Sequence, residues 1–157
     1  MGFPKRIYTL EEFTKARKCV EEGYRHRLRI VGSTVFKDRV DKMLKLIRKA
    51  GYYNYLRTYI RQIIEIDGVS QLREAEATIW LNSFTIKEAV EGARLIVQKT
   101  EQMKDYLSGE KYYERGELQT INKSVEFLKT LVKKRLNKEV RRSCEEVIKL
   151  WTKETIL

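Results

Sequence analysis

The chain has 157 residues, of which 42% are hydrophobic, one is proline and eight are glycine. This composition predicts a single folded domain over residues 1–157 and argues against a disordered or fibrous chain. Basic residues outnumber acidic ones by 33 to 22, which gives a net charge of +11. The surplus lies toward the two ends of the chain, because residues 1–61 carry +10, residues 62–110 carry −4 and residues 111–157 carry +5.

Several classes of protein are disfavoured at once. No apolar run approaches the roughly 18 residues of a membrane span, and no apolar stretch follows the basic N-terminus as it would in a secretory signal. Cys19 and Cys144 are too few for a disulfide framework, and a lone histidine cannot build a histidine-rich zinc site. We therefore expect a cytoplasmic protein without a cofactor, with both cysteines in the core and His26 as a hydrogen-bonded structural residue.

The first elements follow from capping signals and periodicity. Thr9 with Glu12 forms a capping box, and the apolar spacing that follows predicts a helix ending near Gly23. Apolar and basic residues alternate over residues 24–31, which is the period of a strand with one apolar face. Ser33 is placed to cap a second helix.

The centre of the chain is ambiguous. Residues 52–67 predict a helix first and a short strand near the end. The next stretch has two alternative predictions. Residues 77–82 are β-rich in the middle and predict a strand, whereas residues 71–81 contain good helix formers and predict a helix. Trp80 lies between Ile79 and Leu81, and we expect it to be substantially buried.

The C-terminal half is helical in pattern. Thr85 and Glu88 form a second capping box before an apolar stripe that ends at Gly109. A polar loop over residues 110–116 separates this helix from two further helices. The elements together predict a helix-rich α+β fold with a small sheet packed on a central helix, and the alternative is an all-α bundle.

Nine short pieces follow one another in a recognisable order. They are Ile30-Val31-Gly32-Ser33, Gly51-Tyr52-Tyr53, Tyr59-Ile60-Arg61-Gln62-Ile63, Asp67-Gly68-Val69-Ser70, Thr78-Ile79-Trp80-Leu81-Asn82, a helix start at Ala89 to Ala93, Tyr106-Leu107-Ser108-Gly109, Tyr112-Tyr113 and Glu117. Over residues 28–131 this series resembles small zinc metallopeptidases of the zincin type, which are built around a His-Glu-x-x-His helix. The resemblance implies a zincin-like fold.

The same resemblance implies that the catalytic motif is degenerate. It places Gln98 and Gln102 at the two zinc-binding histidines and Lys99 at the general-base glutamate, while Glu117 matches a downstream acidic ligand. An amide is a poor zinc ligand, and a lysine ammonium repels the ion and cannot accept a proton from water. The implied protein is a catalytically inactive binding or regulatory module, with a protein or peptide as its partner.

Two other interpretations of these residues stay open. Without the resemblance, two glutamines four apart on a helix are typical of a solvated face. A metal site of another kind, which would use Glu101 and Glu117, would make the chain an active enzyme.

The basic residues support an alternative function, nucleic-acid binding by a basic helical protein. The predicted strand directs Arg25, Arg27 and Arg29 to one face, either as a phosphate-binding surface or as a solvated basic face. The tyrosines of residues 52–59 interleave with Arg57 and Arg61, a pattern of single-strand binding surfaces. Tyrosines at helical spacing are more often core residues whose hydroxyls reach water. Nucleic acid is thus a possible partner through the basic ends, and no membrane partner is expected.

Overall fold

The protein has a helix-rich α+β fold. The computed structural model describes residues 2–86, 88–109 and 115–156. Its elements in chain order are α1 (Leu10–Glu21), β1 (Arg29–Val31), α2 (Thr34–Lys49), α3 (Tyr53–Tyr59), β2 (Gln62–Glu65), β3 (Gln71–Arg73), a 3₁₀ turn (Glu74–Glu76), β4 (Thr78–Leu81), α4 (Ala89–Ser108), α5 (Arg115–Val132) and α6 (Lys138–Ile156). Within these described residues, no helix is long and apolar enough to cross a membrane.

The four strands form one mixed sheet in the order β1-β2-β4-β3. Strands β1, β2 and β4 run parallel, and β3 pairs with β4 in the antiparallel direction at the edge. Side chains alternate between the two faces of each strand. The inner face carries Ile63, Leu72 and Ile79, which are all buried in the hydrophobic core.

Helix α4 is the centre of the helical layer. It contacts α1, α2, α3, α5, α6 and strand β3, so that almost every side of it is covered. Twelve of its residues are buried, including polar ones. Helix α2 packs tightly at Gly92, where an added Cβ would lie 2.4 Å from the Met43 side chain.

The structure confirms most elements predicted from the sequence. The Thr9–Glu12 capping box begins α1, Ser33 caps α2, and the central region is a helix followed by a strand. The strand predicted over residues 77–82 is confirmed as β4, whereas residues 71–76 form β3 and a 3₁₀ turn that were not predicted. The all-α bundle is therefore excluded.

Two boundaries were predicted wrongly. The strand of residues 24–31 is hydrogen-bonded as a strand only from Arg29, although its alternation of exposed and buried residues begins earlier. Helix α4 begins at Ala89 with Glu88 as a cap residue that makes no side-chain cap bond. The capping box of Thr85 with Glu88 is thus absent, because the Thr85 hydroxyl donates to the Asn82 carbonyl at 3.0 Å. The predicted loop of residues 110–116 lies largely outside the described residues, as do Tyr112 and Tyr113.

The expected substantial burial of Trp80 is met only in part. Its neighbours Ile79 and Leu81 are fully buried, whereas Trp80 is half-buried. The reason is the strand period, which sends Trp80 to the outer face of the sheet. There the Arg73 guanidinium lies over its ring at 4.3 Å from the centroid.

Candidate functional site

The residues of the degenerate motif lie on α4. Gln98 and Gln102 are 7% and 6% exposed, so the interpretation of a solvated glutamine face is wrong. The apolar stripe of the sequence marks one side of α4, but α5 and α6 cover further sides of the same helix. Both amides are consequently enclosed between helices.

A buried guanidinium occupies the surroundings of Gln98. Arg94 is 2% exposed, and its Nη1 donates to the Gln98 Oε1 at 2.8 Å and to the Ser124 Oγ at 3.1 Å. Its Nη2 lies 2.8 Å from the Glu91 carboxylate, and its guanidinium stacks 3.9 Å from the centroid of the Trp151 ring. The network joins α4, α5 and α6, and it uses the Gln98 oxygen as a structural acceptor.

Lys99 is half-buried beside this network. Burial lowers the pKa of its ammonium, and the charge of Arg94 lowers that pKa further, whereas the carboxylates of Glu117 and Glu74 act in the opposite direction. Lys99 therefore lies within electrostatic reach of the start of α5 and of the turn that follows β3. The structure thus brings Lys99 and Glu117 into the same neighbourhood.

The donor chemistry of this region does not suit a divalent metal. Glu117 is exposed at the start of α5, and Glu101 accepts a hydrogen bond from the Tyr55 hydroxyl of α3. Among the described residues, no group of three His, Cys, Asp or Glu side chains could hold a metal ion. The motif position Lys99 and the neighbouring Arg94 are both cations, which repel such an ion.

A depression adjoins the antiparallel edge of the sheet. Its volume is about 380 Å³, and its lining consists of Tyr8, Arg73, Glu74, Ala75, Glu76 and Tyr106. Strand β3 and its following turn form one side, and the C-terminal part of α4 contributes Tyr106. The Tyr106 hydroxyl donates to the Ile7 carbonyl at 2.7 Å, which fixes that side chain against the N-terminal segment.

The five arginines predicted to bind nucleic acid fall into two groups. Arg25, Arg27 and Arg29 are exposed. Arg57 donates from Nε to the His26 carbonyl at 2.9 Å, and Arg61 donates to the Lys5 carbonyl at 2.8 Å. Burial also lowers the pKa of Arg61. Arg57 and Arg61 thus hold backbone segments together, and only the first group is free to meet a ligand.

Three tyrosines at or within α3 belong to the packed interior. Tyr52, the residue before α3, and Tyr55 and Tyr59 within it are half-buried and meet edge to face, with centroid distances of 5.7 and 5.8 Å. Tyr52 also packs against Phe127 of α5 at 5.2 Å. Burial raises the pKa of the Tyr55 hydroxyl well above its usual range, and its hydrogen bond to Glu101 acts in the same direction. The core interpretation of these tyrosines is favoured over a stacking surface.

His26 is buried, as expected, but its side chain is not fully hydrogen-bonded. Its imidazole is 2% exposed and packs 4.5 Å from the Phe3 ring and 5.1 Å from the Tyr24 ring. Within the described part of the chain, its Nε2 has no hydrogen-bond partner. The expectation of a satisfied side chain is therefore wrong for Nε2, and the ring contacts of the imidazole are with Phe3 and Tyr24. Burial, with a smaller contribution from Arg61, lowers the pKa of His26 to about 4.

Sequence reasoning missed the outer face of the sheet. Eight side chains alternate outward from the four strands, and the pairing registers align them in two rows of four. One row is Arg29, Gln62, Thr78 and Arg73, and the other is Val31, Ile64, Trp80 and Gln71. The sequence signal for this face is the alternation of residue types over residues 71–73 and 78–80. It is weak because residues 71–81 also contain good helix formers.

No relative supplies a function for these residues. Comparisons with protein-family models, with curated proteins and with solved structures found no match to this chain. A function can therefore be proposed only from the contacts, burial and charges described above.

Proposed function

We propose that the chain is a zincin-like protein without a catalytic metal, which acts as a binding or regulatory module. The observation that carries the proposal is the chemistry around Gln98. The position that the resemblance assigns to a zinc ligand holds an amide whose oxygen accepts from the buried Arg94. The next position holds the cation Lys99.

The arrangement of elements supports the zincin-like part of the proposal. A short mixed sheet lies against α4, which is the helix that the resemblance designates for the motif. Glu117 lies close enough to Lys99 for its carboxylate to affect the pKa of the lysine. Both relations are expected if Gln98, Lys99, Gln102 and Glu117 occupy the four motif positions.

The absence of peptidase chemistry follows from charge. Metal-assisted hydrolysis needs a cation that lowers the pKa of a bound water and a base that receives its proton. Two positive side chains at the same place oppose the binding of that cation by direct Coulomb repulsion. Lys99 as an ammonium has no lone pair to act as the base.

The proposed partner is an extended protein segment. The depression beside β3 offers one open sheet edge, two tyrosines and side chains of both charges. An extended segment can pair with such an edge through its backbone. Strand β4 is internal to the sheet, whereas β3 is an edge strand and borders the depression.

The register of the motif is tested by restoring it. The variant Gln98→His/Lys99→Glu/Gln102→His should gain a Zn²⁺ site, measured by titration calorimetry after circular dichroism has confirmed that the variant folds. The site should be weaker than a typical protein zinc site, because Arg94 stays in place. Zn²⁺ binding should depend on Glu117, so the matched control adds Glu117→Gln to the triple variant.

The native chain is the second arm of the test. It should bind no stoichiometric Zn²⁺ and should show no zinc-dependent cleavage of a denatured protein substrate. A folded triple variant that binds no zinc, or binds it equally without Glu117, would show that the register is wrong. A tight zinc site in the native chain that disappears with Glu117→Gln would refute the inactive assignment.

A further inference from the structure

We infer that the outer face of the sheet binds single-stranded nucleic acid, with Trp80 and Arg73 as a stacking platform and Arg25, Arg27 and Arg29 as phosphate contacts. This inference does not rest on the zincin-like proposal, and the two can fail separately. It concerns the opposite side of the sheet from α4, although Arg73 also borders the depression beside β3.

The open face is defined by burial. Of its eight outward side chains, Arg29, Val31, Gln71 and Arg73 are exposed, and Gln62, Ile64 and Trp80 are half-buried. Only Thr78 is buried. On the inner face, by contrast, Ile63 and Ile79 are completely buried by the helical layer. A ligand can therefore reach most of the outer surface without any rearrangement of the fold.

The two rows of the outer face differ in polarity and charge. One row has an arginine at each end, with an amide and a hydroxyl between them, and the other has the apolar side chains Val31, Ile64 and Trp80. Consecutive outward residues of one strand are about 6.6 Å apart, so a cationic row runs beside an apolar row. Single-strand binding proteins combine these two elements, a positive track for the backbone and a flat apolar surface for the bases.

The stacking platform is already assembled. The guanidinium of Arg73 lies 4.3 Å from the centroid of the Trp80 ring. Unpaired bases stack on aromatic rings and on arginine guanidinium planes alike. A base placed on this pair would meet a planar cation backed by an indole ring, which adds charge attraction to the stacking.

Charge complementarity favours a polyanion over other occupants. None of the eight outward side chains is acidic. The exposed Arg25 and Arg27 extend the line of Arg29 along the chain, and the whole chain carries +11. A second copy docked face to face would oppose its guanidiniums to those of the first, which is unfavourable.

The geometry also distinguishes single strands from duplexes. The face carries its aromatic surface at the middle of the sheet, and three inter-strand steps from Arg29 to Arg73 span about 14 Å. This is room for up to about four stacked nucleotides at 3.4 Å each. Bases in a duplex are stacked on one another and unavailable to Trp80, so only unpaired bases can use the platform.

The test measures fluorescence anisotropy of a labelled 12-nucleotide oligouridylate and of a mixed-sequence duplex of equal length, from 50 to 300 mM salt. The native chain should bind the single strand more tightly than the duplex. The variant Arg25→Gln/Arg27→Gln/Arg29→Gln should flatten the log–log salt dependence by about two units, at about 0.7 per phosphate contact. The matched control, Lys133→Gln/Lys134→Gln/Arg135→Gln, removes the same charge from exposed positions elsewhere and should leave the slope nearly unchanged.

The stacking part of the inference has its own variants. Trp80→Leu should weaken binding by about fivefold or more, while Trp80→Phe, which keeps a ring, should recover much of that loss. Gln71→Glu places a negative charge at an exposed position of the face and should weaken binding even if Trp80→Leu does not fold. Equal losses in the arginine and control triple variants, equal affinity for the duplex, or self-association through this face would each overturn the inference.

Discussion

His26 should make the stability of the protein depend on pH. The imidazole is enclosed by Phe3 and Tyr24, and burial lowers its pKa to about 4. In the unfolded chain an ordinary histidine has a pKa of about 6.5. As the pH falls below 6.5, His26 therefore becomes protonated in the unfolded state and stays neutral in the folded state.

The sign and the size of the effect follow from linkage. Since the unfolded chain binds more protons between the two pKa values, the free energy of unfolding rises with pH across this window. The contribution is complete above pH 6.5 and is lost progressively as the pH approaches 4. Each pH unit within the window corresponds to about 1.4 kcal/mol, so that lowering the pH from 7.5 to 4.5 should cost about 2.5 kcal/mol.

Urea unfolding followed by circular dichroism at several pH values measures this dependence. The control is His26→Phe, which keeps an aromatic ring between Phe3 and Tyr24 and removes the titrating nitrogens. Carboxylates titrate in the same range in both chains, so the difference between the two curves isolates the imidazole. Parallel curves, with a difference that changes by less than about 0.5 kcal/mol over the window, would refute the assignment of a low pKa to His26.

Two further substitutions test the packing on which the site depends. Gly32→Ala should lower the free energy of unfolding by about 1–3 kcal/mol, because its Cβ would lie 2.8 Å from the Glu65 Cβ. In the control variant Gly68→Ala the added Cβ meets nothing within 4 Å, and the free energy of unfolding should change by less than about 0.5 kcal/mol. Arg94→Met should lower the free energy of unfolding by about 3–5 kcal/mol, because it removes a buried guanidinium that is ion-paired with Glu91. The control variant Lys45→Met breaks only an exposed ion pair and should lower it by less than about 1 kcal/mol. Chemical denaturation of all four variants checks both comparisons.

The sequence predicted the fold class and most elements because their signals are local. The capping box of Thr9 and the cap at Ser33 identify the starts of α1 and α2 from a few residues. The helix-then-strand order of the central region also followed from periodicity, and β2 is where it was expected. These features depend on hydrogen bonds and periods within one segment, so tertiary contacts did not need to be known.

The features that were predicted wrongly or only in part depend on which side of an element is covered. Gln98 and Gln102 have the spacing of a solvated face, yet both are buried in a helix that other helices cover on several sides. Trp80 has the surroundings of a core residue, but the helices pack on the other face of its strand. A single sequence gives the period of an element and leaves the number of its covered faces undetermined.

The two proposed sites can be tested separately because the sheet lies between them. Gln98 and Lys99 belong to α4, which packs against the inner side of the sheet at β3, while Trp80 projects from the outer side of β4. The histidine-restoring substitutions alter no residue of the outer face, and the arginine and tryptophan substitutions alter no neighbour of Arg94 given by its hydrogen bonds. Zinc binding by the restored variant and oligouridylate binding by the native chain should therefore be independent. A restored variant that loses oligouridylate binding while it stays folded would show instead that the two surfaces are coupled.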